Sequence, residues 1–537
     1  MRKFLAIVLA ALLMLSCASF AMAEASEGNV VTFAMATEPN LDPHWNAGAT
    51  GAHVQSTIRE GLYRVTATGI ELAGAESVDV NEDATVWTFK LRQDSVWNDG
   101  QPVTAADYVY AMQRLVDPAV GSTYMRDYGQ FLLNGTEISD GAKDLSELGV
   151  KAIDDYTLEI TLANPCTFFD TILTYSTFYP LRAETVTEDG NGNWAWDVEK
   201  SITNGSMNMT FCDETQQIVL EKNDLYWDKD NVLTDKIVIK LVDDSNTTLA
   251  LLETGEVDII DSFPSEEVER LQEAGYYHYT SKLATNFLLI NTQDQDGANV
   301  LADARVRKAL SLSIDRDYLC DVLMLGTKSP AVSYVGHGFP GSTADQDYRT
   351  EAGDLFATDV EQAQALLAEA GYPNGEGFPV ITCTYTNVSA DYATMFEYLQ
   401  ANWEDALGIT VQLEPMENAA MTELRDAGKF DITPQGWGAD YMDASNMLSI
   451  FVTGNFINAG RYSSEVFDNA YNTSLQTVDQ AARMELLHQA EYQLVVEDCG
   501  IIPLYHANAV ALYDENVLEN VQIAANGKIM LTQITHK

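Results

Sequence analysis

Trp87, Phe89 and Leu91 alternate with Thr88, Lys90 and Arg92. A two-residue period turns one row of side chains toward a core and the other toward water, so this run predicts a strand. Asn98-Asp99-Gly100 reads as a turn after it. Thr104 with Asp107 three residues on has the reciprocal spacing of a helix start. Tyr108, Ala111, Met112 and Leu115 then form an apolar stripe, and Pro118 marks its end. Later segments repeat the contrast. Residues 246–254 predict a helix closed by Gly255, and 257–260 a buried strand. Asp303 opens a helix through Ile314. Asp359 with Gln362 opens another, with Val360, Ala363, Leu366, Leu367 and Ala370 inward and Gly371 as its stop. Tyr392, Phe396, Leu399 and Trp403 stripe a longer helix ended by Gly408, and 409–414 alternates as a strand. Thr477 with Gln480 starts a last long helix that stops at Gly500. Helix and strand signals alternate with short connections over about 510 residues, the pattern of an α/β protein. So long a chain splits into lobes, and a cleft between lobes is the default ligand site.

Composition narrows the class. The chain has 46% hydrophobic and 20% charged residues, a globular balance. It carries 30 Lys and Arg against 80 Asp and Glu, a formal net charge of −50. Such a surface repels phosphate backbones and anionic bilayers, which excludes general nucleic-acid binding. The carboxylates are spread along the chain and read first as a solvated, repulsive surface.

Residues 1–23 read as an export signal. Arg2 and Lys3 precede an apolar run over 4–15, too short to span a bilayer. Two processing routes stay open. Ala21-Met22-Ala23 is a small-x-small cleavage site, and Met14-Leu15-Ser16-Cys17 resembles a lipobox in which Cys17 would be lipidated. Either route exports the chain. Five cysteines remain beyond the leader, an odd number with irregular spacing, so buried thiols with at most one or two bridges are expected.

The sequence holds no GxSxG elbow, no HExxH, no Walker loop and no GxGxxG. The seven histidines are scattered, with no pair three or four apart. Residues 292–303 loosely follow a calcium loop through Asp294, Asp296 and Gly297, but start on Thr292 and end on Asp303, so a polar loop is the plainer reading. Binding is favoured over turnover, and neither a cofactor nor a metal is expected.

Several strings, in order, resemble one family. They are Glu38-Pro39-Asn40-Leu41-Asp42-Pro43-His44, the block WTFKLRQDSVWNDGQPVTAADYVYAMQRLVDP over 87–118, ITNG over 202–205, IVLEKNDLYWD over 218–228, LLETGEVDI over 251–259, DARVRKALSLSIDRD over 303–317, and FDITPQGWGADY over 430–441. Together they resemble the extracytoplasmic solute-binding proteins of peptide-type ABC importers, family 5, most closely the oligopeptide-binding branch. The resemblance implies an α/β, two-lobed periplasmic-binding-protein-like fold of type II, with an extra subdomain in lobe I. Carried over, lobe I covers 28–284 with 50–184 as the extra subdomain, lobe II covers 285–499, and 500–537 returns to lobe I. The hinge strands fall near 283–287 and 498–503. A monomer is implied, partnered by a peptide ligand and an ABC permease in the membrane.

Site residues follow from the same resemblance. Asp440, in the frame Gly436-Trp437-Gly438-Ala439-Asp440-Tyr441, pairs with a ligand ammonium, and the main chain of Gly436, Trp437 and Gly438 walls an added peptide strand. Ala47, Gly48 and Ala49 match the facing wall, and Tyr124 a tyrosine lining the site. Where the family often carries an arginine for the peptide carboxylate, this chain has Pro434. Arg425 matches another family arginine, with a surface ion pair as its plainer reading. Read without the family, Gly-Trp-Gly is a core strand or bulge and Asp440 a loop carboxylate. Other solutes (nickel, haem, a sugar oligomer, a signalling peptide), an exported peptide hydrolase, and an adhesin or sensor on the same fold remain as alternatives.

Overall fold

The computed structural model describes residues 28–37, 40–45, 48–187, 193–293, 299–343, 346–387 and 390–537. The leader with Cys17, the wall residue Ala47 and the acidic interior of the calcium-like loop at 294–298 lie outside them.

One eleven-stranded sheet runs through both lobes. Its order is Val411–Met416, Ile381–Thr386, Ile432–Gly438, Tyr277–Ile290, Ile501–Leu512, Ile259–Ile260, Val30–Met35, Lys236–Leu241, Gln217–Lys222 and Met207–Asp213, with Ser329–Pro330 pairing off this path on Ile501–Leu512. The two long central strands, Tyr277–Ile290 and Ile501–Leu512, join the lobes. Tyr277–Ser281 pairs with Asn508–Leu512 on the lobe I side, and Thr285–Leu289 pairs with residues 501–506 on the lobe II side. The ladder shifts register between Ser281 and Thr285 and again between Asn286 and Phe287. A register shift bends and loosens a strand pair, so the ladder is weakest where the two strands pass between the lobes. On the first strand the break lies between Ser281 and Thr285, beside the expected 283–287. On the second strand it lies at 506–508, later than the expected 498–503, because Ile501, Ile502, Leu504 and Tyr505 still pack in lobe II cores, whereas Ala511 and Leu512 join lobe I cores.

The extra subdomain is smaller than 50–184. Helix Ala49–Ile58 belongs to lobe I proper, since Val54 and Ile58 pack with Phe33 and Ile237. The subdomain's own core runs from Leu62 to Phe178. It is built on the four-stranded sheet Ala75–Val80, Val86–Leu91, Thr157–Thr161, Val150–Asp154. Trp87, Phe89 and Leu91 point inward as their alternation predicts. Helix Ala105–Val116 covers this sheet, and the Thr104–Asp107 capping box is formed, with the Thr104 amide donating to Asp107 Oδ2 at 2.7 Å.

The motif around Asp42 is a structural clamp. Arg114 donates to both Asp42 oxygens at 2.8 and 2.7 Å, and Trp194 Nε1 donates to Oδ2 at 2.8 Å. Arg114 Nη1 also meets His44 Nδ1 at 2.7 Å, and His44 Nε2 meets the Thr177 carbonyl at 2.9 Å. Burial, then the Arg114 charge, pushes His44 down to about 4. His44 is therefore neutral, with Nδ1 accepting and the proton on Nε2. The clamp ties the chain just before Gly48 to the subdomain.

Among the described residues the five cysteines are free, four buried and Cys212 half-buried, and burial raises each thiol's pKa, as expected of inert structural thiols. No described helix is long and apolar enough to cross a membrane.

Candidate ligand-binding site

Strand Ile432–Gly438 is where the two sides of the cleft come within reach of each other. Along one edge it pairs with the hinge strand, from Ile432 against Ile290 to Gly438 against Ala284. Along the other edge a single pair, Ile432 with Cys383, is made. From Thr433 onward that edge meets no described strand. Its free peptide groups form a template for one more strand. Gly436 and Gly438 are exposed and Trp437 is half-buried, so bare backbone alternates with a ring anchored below. Trp437 Nε1 donates to Asn446 Oδ1 at 3.1 Å.

Asp440 stands just past the end of this edge. Its amide donates to Asn446 Oδ1 at 3.2 Å, and Asn446 Nδ2 donates to Asp440 Oδ2 at 3.4 Å. One asparagine thus fixes both Trp437 and Asp440. Asn446 is itself placed by helix Ala444–Ser449, whose N-cap Asp443 accepts from the Ser445 amide. Asp443 is held in turn by a buried two-pronged pair with Arg483 at 2.8 and 2.6 Å. Asp440 opens onto the cleft, and no cation forms an ion pair with it among the described residues. Surrounding protein desolvates its carboxyl and raises its pKa; the Asn446 hydrogen bond opposes this, and the Asp127 charge adds to it.

Asp127 belongs to the extra subdomain, so Asp440 faces the opposite lobe. Tyr128 and Tyr175 of that subdomain also feel its charge. Tyr124 joins them: its hydroxyl lies 3.1 Å from that of Tyr175, and the rings of Tyr124, Tyr128 and Tyr175 pack with centroids 4.9–5.3 Å apart. Next to Asp440, Tyr441 stacks on Phe168 at 5.5 Å and meets Phe131 edge-on at 6.1 Å. The Arg483 guanidinium lies 4.4 Å from the Phe168 ring centre. These contacts bridge the lobes.

The structure thus brings Gly436, Trp437, Gly438, Asp440 and the Tyr124 cluster to one end of the cleft. Gly48 and Ala49 line a cavity of about 850 Å³ whose wall also includes Tyr175 of that cluster. Gly48 is extended and caps helix Ala49–Ile58, so Ala49 is the first residue of a helix. Arg425 is not part of this group: its Nε lies 3.6 Å from Asp426 Oδ1 on its own helix, the surface ion pair. Asn446, Tyr128, Tyr175 and Asp127 escaped the sequence reading. An Asp at 443 followed by Asn three residues later is the one local signal, a helix start that places the asparagine in the first turn.

The model of bacterial extracellular solute-binding proteins, family 5, matches residues 69–459. The chain belongs to this family. The periplasmic oligopeptide-binding protein OppA of Escherichia coli (strain K12) is 31% identical to this solute-binding protein over 477 residues, which cover 87% of the chain and 85% of OppA. Among solved structures, the unliganded open form of the murein tripeptide-binding protein MppA is 26% identical, with a TM-score of 0.83, covering 95% of this chain and 98% of its own. Listeria monocytogenes OppA bound to peptide is 29% identical, with a TM-score of 0.71, covering 95% and 100%. The type II two-lobed fold is therefore established, and the overall arrangement of this solute-binding protein is nearer to the open form than to that peptide-bound one.

Proposed function

We propose that this solute-binding protein captures peptides between its lobes and hands them to a membrane ABC permease. The observation that carries the reading is Asp440: a carboxylate without a counter-cation among the described residues, exposed to the cleft, at the end of an unpaired strand edge. That combination suits a chain with a free ammonium at its start and peptide groups behind it. The free edge offers main-chain hydrogen bonds, which accept many sequences, and the Asp440 carboxylate fixes the register. The relatives support it, since the proteins named OppA bind oligopeptides and one is solved with peptide. The protein acts outside the cytoplasmic membrane as a monomer, freed by cleavage after Ala23 or anchored through Cys17. It is not an enzyme on this reading.

The test is calorimetry of Asp440→Asn against wild type with short peptides. Removing one partner of a buried ion pair costs about 3–5 kcal/mol, which is hundreds-fold or more in affinity. Acetylating the peptide amine costs as much in wild type and nothing further in the variant. Unchanged affinity in the variant rejects the assignment.

A further inference from the structure

Arg483 stands where three parts of the molecule meet. It lies on helix Gln480–Tyr492 of lobe II, and its guanidinium holds Asp443 through both oxygens at 2.8 and 2.6 Å. Both side chains are buried. Part of their cover comes from the opposite lobe. The guanidinium carbon lies over the ring of Phe168, in the extra subdomain, 4.4 Å from the ring centre. Phe168 is itself buried and stacks on Tyr441. Beside it, Leu475 of lobe II packs against both the subdomain core and a lobe II core.

Behind this pair stands the amine site. Asp443 Oδ1, the oxygen that takes Arg483 Nη2, also accepts from the Ser445 amide at 2.9 Å and so starts helix Ala444–Ser449. That start sets Asn446 in the first turn, where it is buried. Its one amide group serves Trp437 Nε1 at 3.1 Å, the Asp440 amide at 3.2 Å and Asp440 Oδ2 at 3.4 Å. From Phe168 to Asp440 the path thus runs through Arg483, Asp443 and Asn446, three buried side chains and one helix start. A buried ion pair is strong while it is dry and weakens as water raises the local dielectric. A guanidinium also gains from an aromatic ring over it. The subdomain's ring therefore bears directly on how firmly Arg483 holds Asp443.

We propose that Arg483 is a positioning residue that transmits the docking of the subdomain on lobe II to Asp440, so that the grip on a ligand's amine depends on Phe168 being seated. The coupling presupposes the amine capture proposed for Asp440. With the ring seated, the pair is dry, the helix start is fixed and Asn446 holds the carboxylate in place. With the ring withdrawn, water reaches the pair, Asn446 and Asp440 gain freedom, and an amine is held more weakly. By linkage, an amine at Asp440 favours the seated ring to the same degree.

The experiment is calorimetry with trialanine and N-acetyl-trialanine on wild type, Phe168→Leu, Arg483→Lys, the double variant and Phe131→Leu. The readout is the ratio of the two affinities, because a general loss of stability or of lobe contact weakens both peptides alike and does not move it. Phe168→Leu keeps an apolar side chain and removes the ring; Arg483→Lys keeps the charge and removes the fork. Each is expected to shrink the wild-type ratio by about two- to thirtyfold, and the double variant by little more than either alone. Phe131→Leu loosens the same clasp through the Phe168 and Tyr441 rings while leaving the Phe168–Arg483 contact in place. It is expected to weaken both peptides and keep the wild-type ratio. Should Arg483→Lys not fold, Phe168→Leu alone decides, since it leaves Asp443 paired. An unchanged ratio in a folded single variant at 168 or 483, or an equal fall in Phe131→Leu, overturns the coupling and leaves amine capture standing. A wild type that binds the two peptides equally, or binds neither, overturns the amine reading and the coupling with it.

Discussion

A carboxylate that must meet an ammonium works only when charged. Partial desolvation by the surrounding protein raises the pKa of Asp440 above the ordinary aspartate value of 3.8, and pairing with a cation pulls it back down. Binding therefore releases protons at mildly acidic pH, and affinity falls as pH drops through the raised value of the free protein. The ligand amine, with a pKa near 8, stays protonated throughout that window. Calorimetry from pH 7 downward should show affinity falling before an ordinary aspartate would titrate, and Asp440→Asn should flatten the profile. A wild-type profile level down to the ordinary aspartate range contradicts the role. Asp440 stands out in the sequence only through the frame it shares with the family; read alone it is a loop carboxylate. Asn446 does not stand out, because its function arises only when helix Ala444–Ser449 folds back on the strand and points one amide at two partners. Arg425 matches a family arginine in sequence, and in the structure its Nε lies 3.6 Å from Asp426 Oδ1 on the same helix.

At the scale of elements, the free edge of Ile432–Gly438 makes a periodic claim. An added strand alternates peptide groups that face the template with groups that face away. Methylating the ligand's amide nitrogens one at a time should therefore weaken binding at every second position, by about two- to tenfold for each lost hydrogen bond. Equal losses at successive positions, or none, would exclude strand addition. The elements beneath the edge can be tested separately. Arg483→Leu leaves Asp443 buried without its partner, which costs about 3–5 kcal/mol and should lower the thermal midpoint in the absence of ligand. Most of these elements were readable from periodicity and caps: Asp303 and Asp359 cap the helices predicted for them. The last long helix starts at Gln480 under Asp479 instead of at Thr477, because Asp479 Oδ1 accepts from the Ala482 amide at 2.8 Å. Val360 faces solvent, because it stands in the first turn of its helix while Ala363 and Leu367 carry the buried stripe.

For the whole molecule, the two lobes could be read from ordered motifs, but the crossing between them could not. Strand Ile501–Leu512 is apolar along most of its length, so no change of composition marks where it leaves lobe II; only the broken ladder does. The structure adds a second link that no motif announced, the aromatic clasp of Tyr441 on Phe131 and Phe168. The clasp is formed although the arrangement matches an unliganded open form more closely than a peptide-bound one. It links the subdomain to lobe II in this arrangement, so it is expected to limit how far the cleft gapes. Each ring pair is worth about 0.5–1.5 kcal/mol beyond burial. Tyr441→Ala removes two such pairs, widens the range of unliganded lobe orientations, and should weaken peptide binding roughly tenfold by shrinking the binding-ready fraction. Small-angle scattering provides the check. Peptide should reduce the radius of gyration of wild type, and the variant without peptide should be larger than wild type without peptide, yet reach the same bound radius. If the unliganded variant and wild type scatter alike while affinity still drops, Tyr441 touches the ligand, and the clasp plays no part in setting the opening.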